Sequence, residues 1–486
     1  MTHFFRFRST DALLGRYHEL ENQEIYFCAP DELNDPTEGF KDLTWRGDEI
    51  VWRNFFKHYL LCLMRSFLIS ALPGAEIEPM PSTAVILGSR ASLPTDKLRA
   101  VHDNICTRFF ATAGISDMIR SLGQYPYPLR RNALALCLRS AHGVGLNCVS
   151  EELARISTSF KPIPLPAQPA DTADLIASVT EALTVTAKNE EGADSASFEA
   201  LFSAGDFLQR QFELINYSHA GTDDERKWLS IVQGFPVAYI EQLDHLVYSD
   251  WWVACFVADP TQAAMWGHYG DSHRGVCLKF KTANSDNQRP AINLRAITGG
   301  YGGPQGSGLN YGDRKLDFVE MNYVPKFVEV DFFRSIGVLP IPTLRDEWYS
   351  AEDGTLSSSG NQIFTDPDGW RREYWQTFNS IAATKFQDWQ YEKEHRILLT
   401  TALDFFEEKN NRKLKYHFSD LEGVIFGIKT SLADKIKIID IVEAKCKAEG
   451  RTDFEFSQAA YDPVTGAFAT HVLRALRFAS EPPTAI

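Results

Sequence analysis

No CxxC pair and no zinc-like spacing occurs among the eight cysteines, which leaves no zinc ribbon and no thioredoxin-type redox motif. Cys28, Cys62, Cys106, Cys137, Cys148, Cys255, Cys277 and Cys446 instead read as reduced, mostly buried thiols of a cytoplasmic protein. No long Lys/Arg block offsets the net charge of -15, which argues against a broad phosphate-binding face and against docking on an anionic membrane, since both need clustered positive charge. A local basic groove is still compatible with that total. The most membrane-like run, Tyr59 to Leu72, is short and carries Arg65, so the expectation is a buried helix and not a span. The opening Met-Thr-His-Phe-Phe-Arg-Phe-Arg lacks the apolar stretch and cleavage site of a signal peptide and alternates like a strand. A strand-to-helix GxxxxGK[ST] pattern is missing, so a phosphate-cradling loop is unsupported, and no internal repeat is visible.

What is present is enough apolar material, 44% of 486 residues, for one large or several ordinary cores. Phe4 to Arg8 alternates as a strand, Ser9 or Thr10 can cap a short helix striped by Leu13, Leu14, Tyr17 and Leu20, and Glu24 to Ala29 reads as a second strand. The run Asn34-Asp35-Pro36-Thr37-Glu38 then predicts a rigid turn able to aim side chains. From about residue 51 to 245 the periodicity is helical, with Lys161 to Ala170 a proline-rich, stiff connector and an acidic interruption at 188–197. Strands resume at Leu246 to Ala258 and Gly275 to Lys281, flanking a short helix through Met265, Trp266, Gly267, His268 and Tyr269. Residues 297–313 hold seven glycines and read as a flexible loop, a plain surface loop or a lid. A helix from Trp370 to Asp388, with Trp370, Tyr374, Phe378 and Ile381 on one face, leads to a strand at Tyr391 to Leu399, and later strands are expected at Lys413 to Phe418, Gly423 to Ile428 and Asp453 to Ala459. The predicted class is α+β: a mixed, twisted core sheet from residues 1–50 and 246–486, with an all-helical insertion at 51–245.

The richest chemistry lies in Phe386 to Ile397. In a strand the period of two places Glu392, Glu394 and Arg396 on one face, where two carboxylates and a guanidinium couple if the run enters a pocket. A solvated, salt-bridged strand face would carry the same row at little cost.

Three segments together resemble a widespread bacterial family known only as a domain of unknown function, family 2971. They are Phe5-Arg6-Phe7-Arg8 with Asn34-Asp35-Pro36-Thr37-Glu38; Met265-Trp266-Gly267-His268-Tyr269 leading to Gly275-Val276-Cys277-Leu278; and Trp389 to Ile397. Gly423-Val424-Ile425-Phe426-Gly427 resembles its last common strand. The order of a basic side chain on an early strand, an aromatic middle element and a late Glu is also similar, at a coarse level, to the ADP-ribosyltransferase superfamily. That likeness implies an ADP-ribosyltransferase-like sheet and transfer of ADP-ribose from NAD to a protein or nucleic acid, or NAD breakdown, in a toxin or phage-defence setting. It implies Glu394 as the catalytic carboxylate, Glu392 as its helper, and a donor site drawn from Arg6, Arg8, Trp266, His268, Tyr269 and Arg396, with no metal. The chain departs from the better-known patterns in lacking a Ser-Thr-Ser strand and in having Arg where some relatives have His.

Plainer readings accompany each choice. Trp266 and Met265 fit a core helix, His268 and Tyr269 fit bonds to buried backbone, Arg6 and Arg8 can pair with Glu38 or Glu392 across the sheet, and Asp35 and Glu38 can serve only to shape the turn. A metal-dependent hydrolase or nuclease would use Asp35, Glu38, Glu392 and Glu394 on Mg²⁺ or Mn²⁺. A non-catalytic sensor or scaffold would use the helical insertion to hold a regulatory partner.

Overall fold

Along His3–Arg8 (β1) successive side chains point to opposite faces, and Phe4 and Phe7 accordingly enter two different apolar clusters. The computed structural model describes residues 2–70, 88–156, 169–188, 194–285, 288–303, 306–400 and 404–476. It is a mixed α+β structure made of two compact units. The first comprises Met1–Phe40, Asp250–Phe327 and Asn379–Ile486, and the second Lys41–Ser249 and Val328–Phe378.

The first unit is built on β1, Glu24–Tyr26 (β2), Trp251–Val257 (β3), Val276–Lys281 (β4), Pro290–Gly303 (β5), Gly306–Glu320 (β6), Glu394–Thr400 (β7), Lys413–Tyr416 (β8), Leu421–Phe426 (β9), Glu455–Asp462 (β10) and Ala467–Val472 (β11). Their order is β11-β10-β9-β4-β1-β3-β7-β6-β5-β8-β2, with Ala283–Asn284 paired beside β5. The β9–β10 pair is parallel and the neighbouring pairs are antiparallel. β1 meets β3 only where Phe5 faces Val257, while Cys28, just beyond β2, bridges Val253 on the same strand. The sheet therefore curls back on itself, and an opening is left beside β3 between its two partners. Leu432–Glu449 covers one side: Ser431 accepts the Asp434 N–H at 3.0 Å to start the helix, Gly450 ends it at a φ of 65°, and Ile438, Val442 and Cys446 face the core one turn apart.

Three expectations change here. The glycine-rich stretch is no loop: β5 and β6 form a long hairpin in which Tyr301 pairs with Gly308, the ring occupying the space that a side chain at Gly308 would need. Bare backbone on one strand makes room for an aromatic on the next. The expected helix to Asp388 is Pro367–Ala382, after which Thr384–Phe386 pairs in parallel with Asn322–Val324. An available strand edge and a β-branched Thr384, whose hydroxyl bonds the Ser380 carbonyl at 2.6 Å, win over helical periodicity.

The third change concerns the insertion, expected to be residues 51–245 and all-helical. The second unit recruits residues 328–378 as well, because Glu329–Asp331 pairs in parallel with Asp42–Trp45, which pairs in turn with Leu129–Arg130. Its long helix Glu49–Ser70 is buried nearly all round, with Trp52, Phe55, Phe56 and Tyr59 in the core. Tyr59 donates to His142 Nδ1 at 2.7 Å, while His142 Nε2 donates to the Ile231 carbonyl at 2.8 Å, so that buried pair is satisfied. No helix among the described residues is long and apolar enough to cross a membrane. The proline-rich connector lies outside the described residues up to position 168, as do residues 189–193 of the acidic interruption.

Candidate functional site

Glu394 opens β7 opposite Val257, and Arg396 sits opposite Cys255, so the two side chains share one face as the period of two requires. Glu392 reaches the same place by a different route. Gln387–Glu392 is a tight 3₁₀ turn, and Lys393 adopts a left-handed φ of 46° that swings the chain into β7. The expected strand from Tyr391 is thus a turn for its first residues, with Glu392 on one side of the pivot and Glu394 on the other.

Between them stands Lys385, on the short strand Thr384–Phe386. Its ammonium group donates to Glu392 at 2.7 Å and Glu394 at 3.1 Å and lies 3.2 Å from Glu38, so its three N–H groups face three carboxylates. Trp389 presents its ring 4.8 Å from the same nitrogen. Arg396 donates from Nε to Glu394 at 2.7 Å and forks onto Glu38 at 2.8 and 2.6 Å. All five ionic groups are almost wholly buried. Glu38 is aimed by its turn: Asp35 accepts the Thr37 N–H at 2.9 Å and hydroxyl at 2.7 Å, and Gly39 follows at a φ of 67°. Asp35 shapes the loop, as the plainer reading had it, but Glu38 does more than that.

A cavity of about 150 Å³ adjoins this cluster, lined among others by Arg6, Cys28, Cys255, Tyr269, Glu392 and Glu394. The Tyr269 hydroxyl lies 2.8 Å from Glu392 and 3.1 Å from the Asn34 side-chain amide, and its one proton goes to the carboxylate. The two glutamates are driven apart in acidity. Burial raises Glu392, with Lys385 only partly opposing it, whereas at Glu394 the pull of Arg396 and Lys385 overcomes burial and holds the carboxyl at about 2. Burial and the Glu392 charge push Tyr269 upward, so it stays a donor.

Arg6 is the exception to this satisfied network. It is 8% exposed, lies over the Phe256 ring at 5.4 Å and donates from one nitrogen to the Tyr26 carbonyl at 3.0 Å, while its Nη1 has no hydrogen-bond partner among the described residues. Burial, with Arg8 nearby, lowers its affinity for its proton. A buried guanidinium without a carboxylate partner, on a residue that lines a cavity, favours negative charge nearby.

The remaining expected site residues lie elsewhere in this geometry. Arg8 forks onto Glu19, at 2.7 Å through Nε, and so is held by that carboxylate even where it borders the cavity. Neither arginine pairs with Glu38 or Glu392; Glu38 is taken by Arg396, which is itself locked and has little left to offer a ligand. Trp266 is fully buried, packs edge-on against Phe7 at 4.9 Å and donates to the Pro260 carbonyl at 2.7 Å, which makes it core. His268 is exposed, 6.2 Å from the Tyr269 ring, and does not line the cavity. Lys385 was invisible to a helical reading of its segment, though the alternation Thr384-Lys385-Phe386 carries the signal. Against the metal reading, Lys385 and Arg396 already bond to oxygens of Glu38, Glu392 and Glu394, while Asp35 gives Oδ1 to its turn and keeps a buried Oδ2 without a partner among the described residues. Among the described residues no cluster of His, Cys, Asp and Glu could hold a metal ion.

Residues 265–397 match the family model described as a protein of unknown function (DUF2971). That segment supplies Tyr269, Lys385, Glu392, Glu394 and Arg396, while Arg6, Asn34 and Glu38 come from outside it, as does the strand at Gly423 to Gly427 that was also read as family-like. No curated protein and no solved structure matches the chain.

Proposed function

We propose that the protein cleaves the bond between nicotinamide and ribose in NAD, passing ADP-ribose to water or to a macromolecular acceptor. The observation that carries this reading is the buried guanidinium of Arg6, bonded to the Tyr26 carbonyl and to no carboxylate among the described residues, which lines one cavity with Tyr269 and Glu392. An anionic donor needs a cationic clamp, a flat apolar wall and a carboxylate where positive charge develops, and these are the three kinds of group present. Pockets for whole drug-sized ligands span about 300–1,000 Å³, so the cavity admits one end of the dinucleotide.

In this scheme the electron pair of the C1′–N bond leaves with nicotinamide, which departs neutral, and positive charge spreads over the ribose. Glu392 takes the proton of the attacking water or hydroxyl and hands it to solvent. Glu394 and Glu392 thereby exchange the roles expected from sequence order. Glu394 is already neutralised by Arg396 and Lys385 and serves to position Lys385, whereas Glu392, with a raised pKa and one oxygen on Tyr269, is better suited to proton transfer.

The test is release of nicotinamide from labelled NAD by the full chain, with and without cell lysate. Glu392→Gln should lower the rate by about 10²- to 10⁴-fold, the usual contribution of a positioned acid or base, and Arg6→Gln should chiefly raise KM. A wild-type protein that releases no nicotinamide in either condition removes the reading.

A further inference from the structure

The helix Asp194–His219 of the second unit wears its polarity inside out. Asp206 and Glu213, two turns of one stripe, face the helix Arg131–Ile156. There Asp206, 6% exposed, accepts from Arg139 and from Arg210, the latter at 2.7 Å, and Glu213 accepts from Arg139 at 3.0 Å. The opposite side carries Phe207, Leu208, Phe212, Leu214 and Ile215, which are 67, 54, 51, 72 and 47% exposed.

A helix on the surface of a domain normally turns its apolar stripe to the core and its charges to water. Here the charges are turned in and the large apolar side chains out. Single exposed hydrophobics are ordinary, but these five crowd one side of the helix between positions 207 and 215 and form a patch on the order of 500 Å². Patches of that size on a folded chain commonly mark contact surfaces. By helical spacing, Gln211 is the one polar side chain on this side between those positions, and none there is charged.

The lack of charge selects the occupant. A basic partner would find no carboxylate to meet, since Asp206 and Glu213 are spent on Arg139. Helices that lie on membranes place Lys and Arg beside the apolar stripe, whereas Arg210, the one basic residue between 207 and 215, is bonded to Asp206. A second copy of the chain offers the same neutral, apolar surface. A standard interface takes about 800 Å² per partner, of which about 65% is apolar in homodimers, and the patch supplies that apolar share. Gln211, in the middle of it, carries both a donor and an acceptor, so across a two-fold axis two copies satisfy each other.

We infer that the protein forms a two-fold dimer through the outer face of Asp194–His219, with the two helices antiparallel about Gln211. In that seating Leu208 of one copy packs against Ile215 of the other on both sides of the axis, and Phe207, Phe212 and Leu214 close the flanks. Antiparallel helices also oppose their dipoles, which parallel ones do not. The inference does not rest on the NAD reading, since every residue it uses belongs to the second unit.

Sedimentation velocity of the full chain, from about 1 to about 100 µM, tests it and should show twice the mass of one chain. Leu208→Glu and Ile215→Lys should each weaken the dimer by about thirtyfold or more, the loss expected of a buried anchor. Both variants should still melt cooperatively by circular dichroism, because the replaced side chains are outside the chain's own core. Mixed in equal amounts, the two variants should dimerise again, since the introduced carboxylate then meets the introduced ammonium across the axis. A wild type that stays monomeric at about 100 µM overturns the inference, whether another segment of the chain covers the face or the monomer binds phosphatidylcholine vesicles. So does a dimer that neither substitution weakens, and a mixture that stays monomeric overturns the seating about Gln211.

Discussion

At the level of single residues, the five buried charges around Lys385 decide both stability and acidity. Removing one partner of such a cluster leaves charges unpaired in a dry site, so Lys385→Met should destabilise the protein by about 3–5 kcal/mol in urea unfolding. Glu394 makes a pH dependence as well. Its carboxyl titrates at about 2 in the folded chain against 4.5 when unconstrained, so its contribution, about 3 kcal/mol, is complete above pH 4.5 and is lost as the pH falls toward 2. Glu392 works in the opposite sense: with its pKa raised, what it contributes is present at low pH and lost as the pH rises through the folded value. Urea midpoints measured between pH 2 and 7 should show a steep acid limb in the wild type that flattens in Glu394→Gln. An unchanged slope in that variant would detach the limb from Glu394. The sequence made the acidic pair and Arg396 legible, because their spacing is local. It hid Lys385, and it offered Glu38 only as a turn residue, a metal ligand or a partner of Arg6 or Arg8, since the pairing of Glu38 with Arg396 arises only when a distant turn folds onto β7.

Among the secondary-structure elements, backbone conformation positions the site more than propensity does. Lys393 is held at a left-handed φ of 46°, where a side chain costs energy, so Lys393→Gly should raise stability by up to about 1 kcal/mol. Beside β1, a Cβ on Gly275 would come within 2.3 Å of the Arg8 carbonyl oxygen. Gly275→Ala must push β1 away from β4 and should cost about 1–3 kcal/mol, whereas Gly267, with open space around it, should accept alanine without loss. Thermal melts of the two variants compare them directly. The strands β1, β3, β4 and β9 were readable because alternation or apolar runs mark them. The β5–β6 hairpin was not, since glycines that signal a loop locally are here accommodated by Tyr301 across the pair.

Across the whole molecule, the interruption of the first unit occurs twice, and the second break at 328–378 left no mark in composition. Residues 48 and 54 show why both pieces belong together. Asp48 accepts bonds from Ser357 and Ser358 at 2.8 and 2.9 Å, and Asn54 donates to the Trp348 and Ser350 carbonyls at 3.0 and 2.9 Å. Deleting 51–245 alone should therefore leave 328–378 without its partners and yield an aggregating chain. Joining Phe40 to Asp250 and Phe327 to Asn379 by short linkers should instead give a cooperative unit, as read by circular dichroism on heating. A cooperative melt of the simple deletion would contradict this division.

The bridge between Cys28 and Val253 also limits association by strand addition. It continues the β2 end of the strand order back onto β3, so β11 is the one end of that order without a neighbouring strand among the described residues. Growth of a fibre by strand addition needs two open ends, one to receive and one to offer. With a single end, two copies joined along β11 would cap each other, and association by this route would stop at the pair.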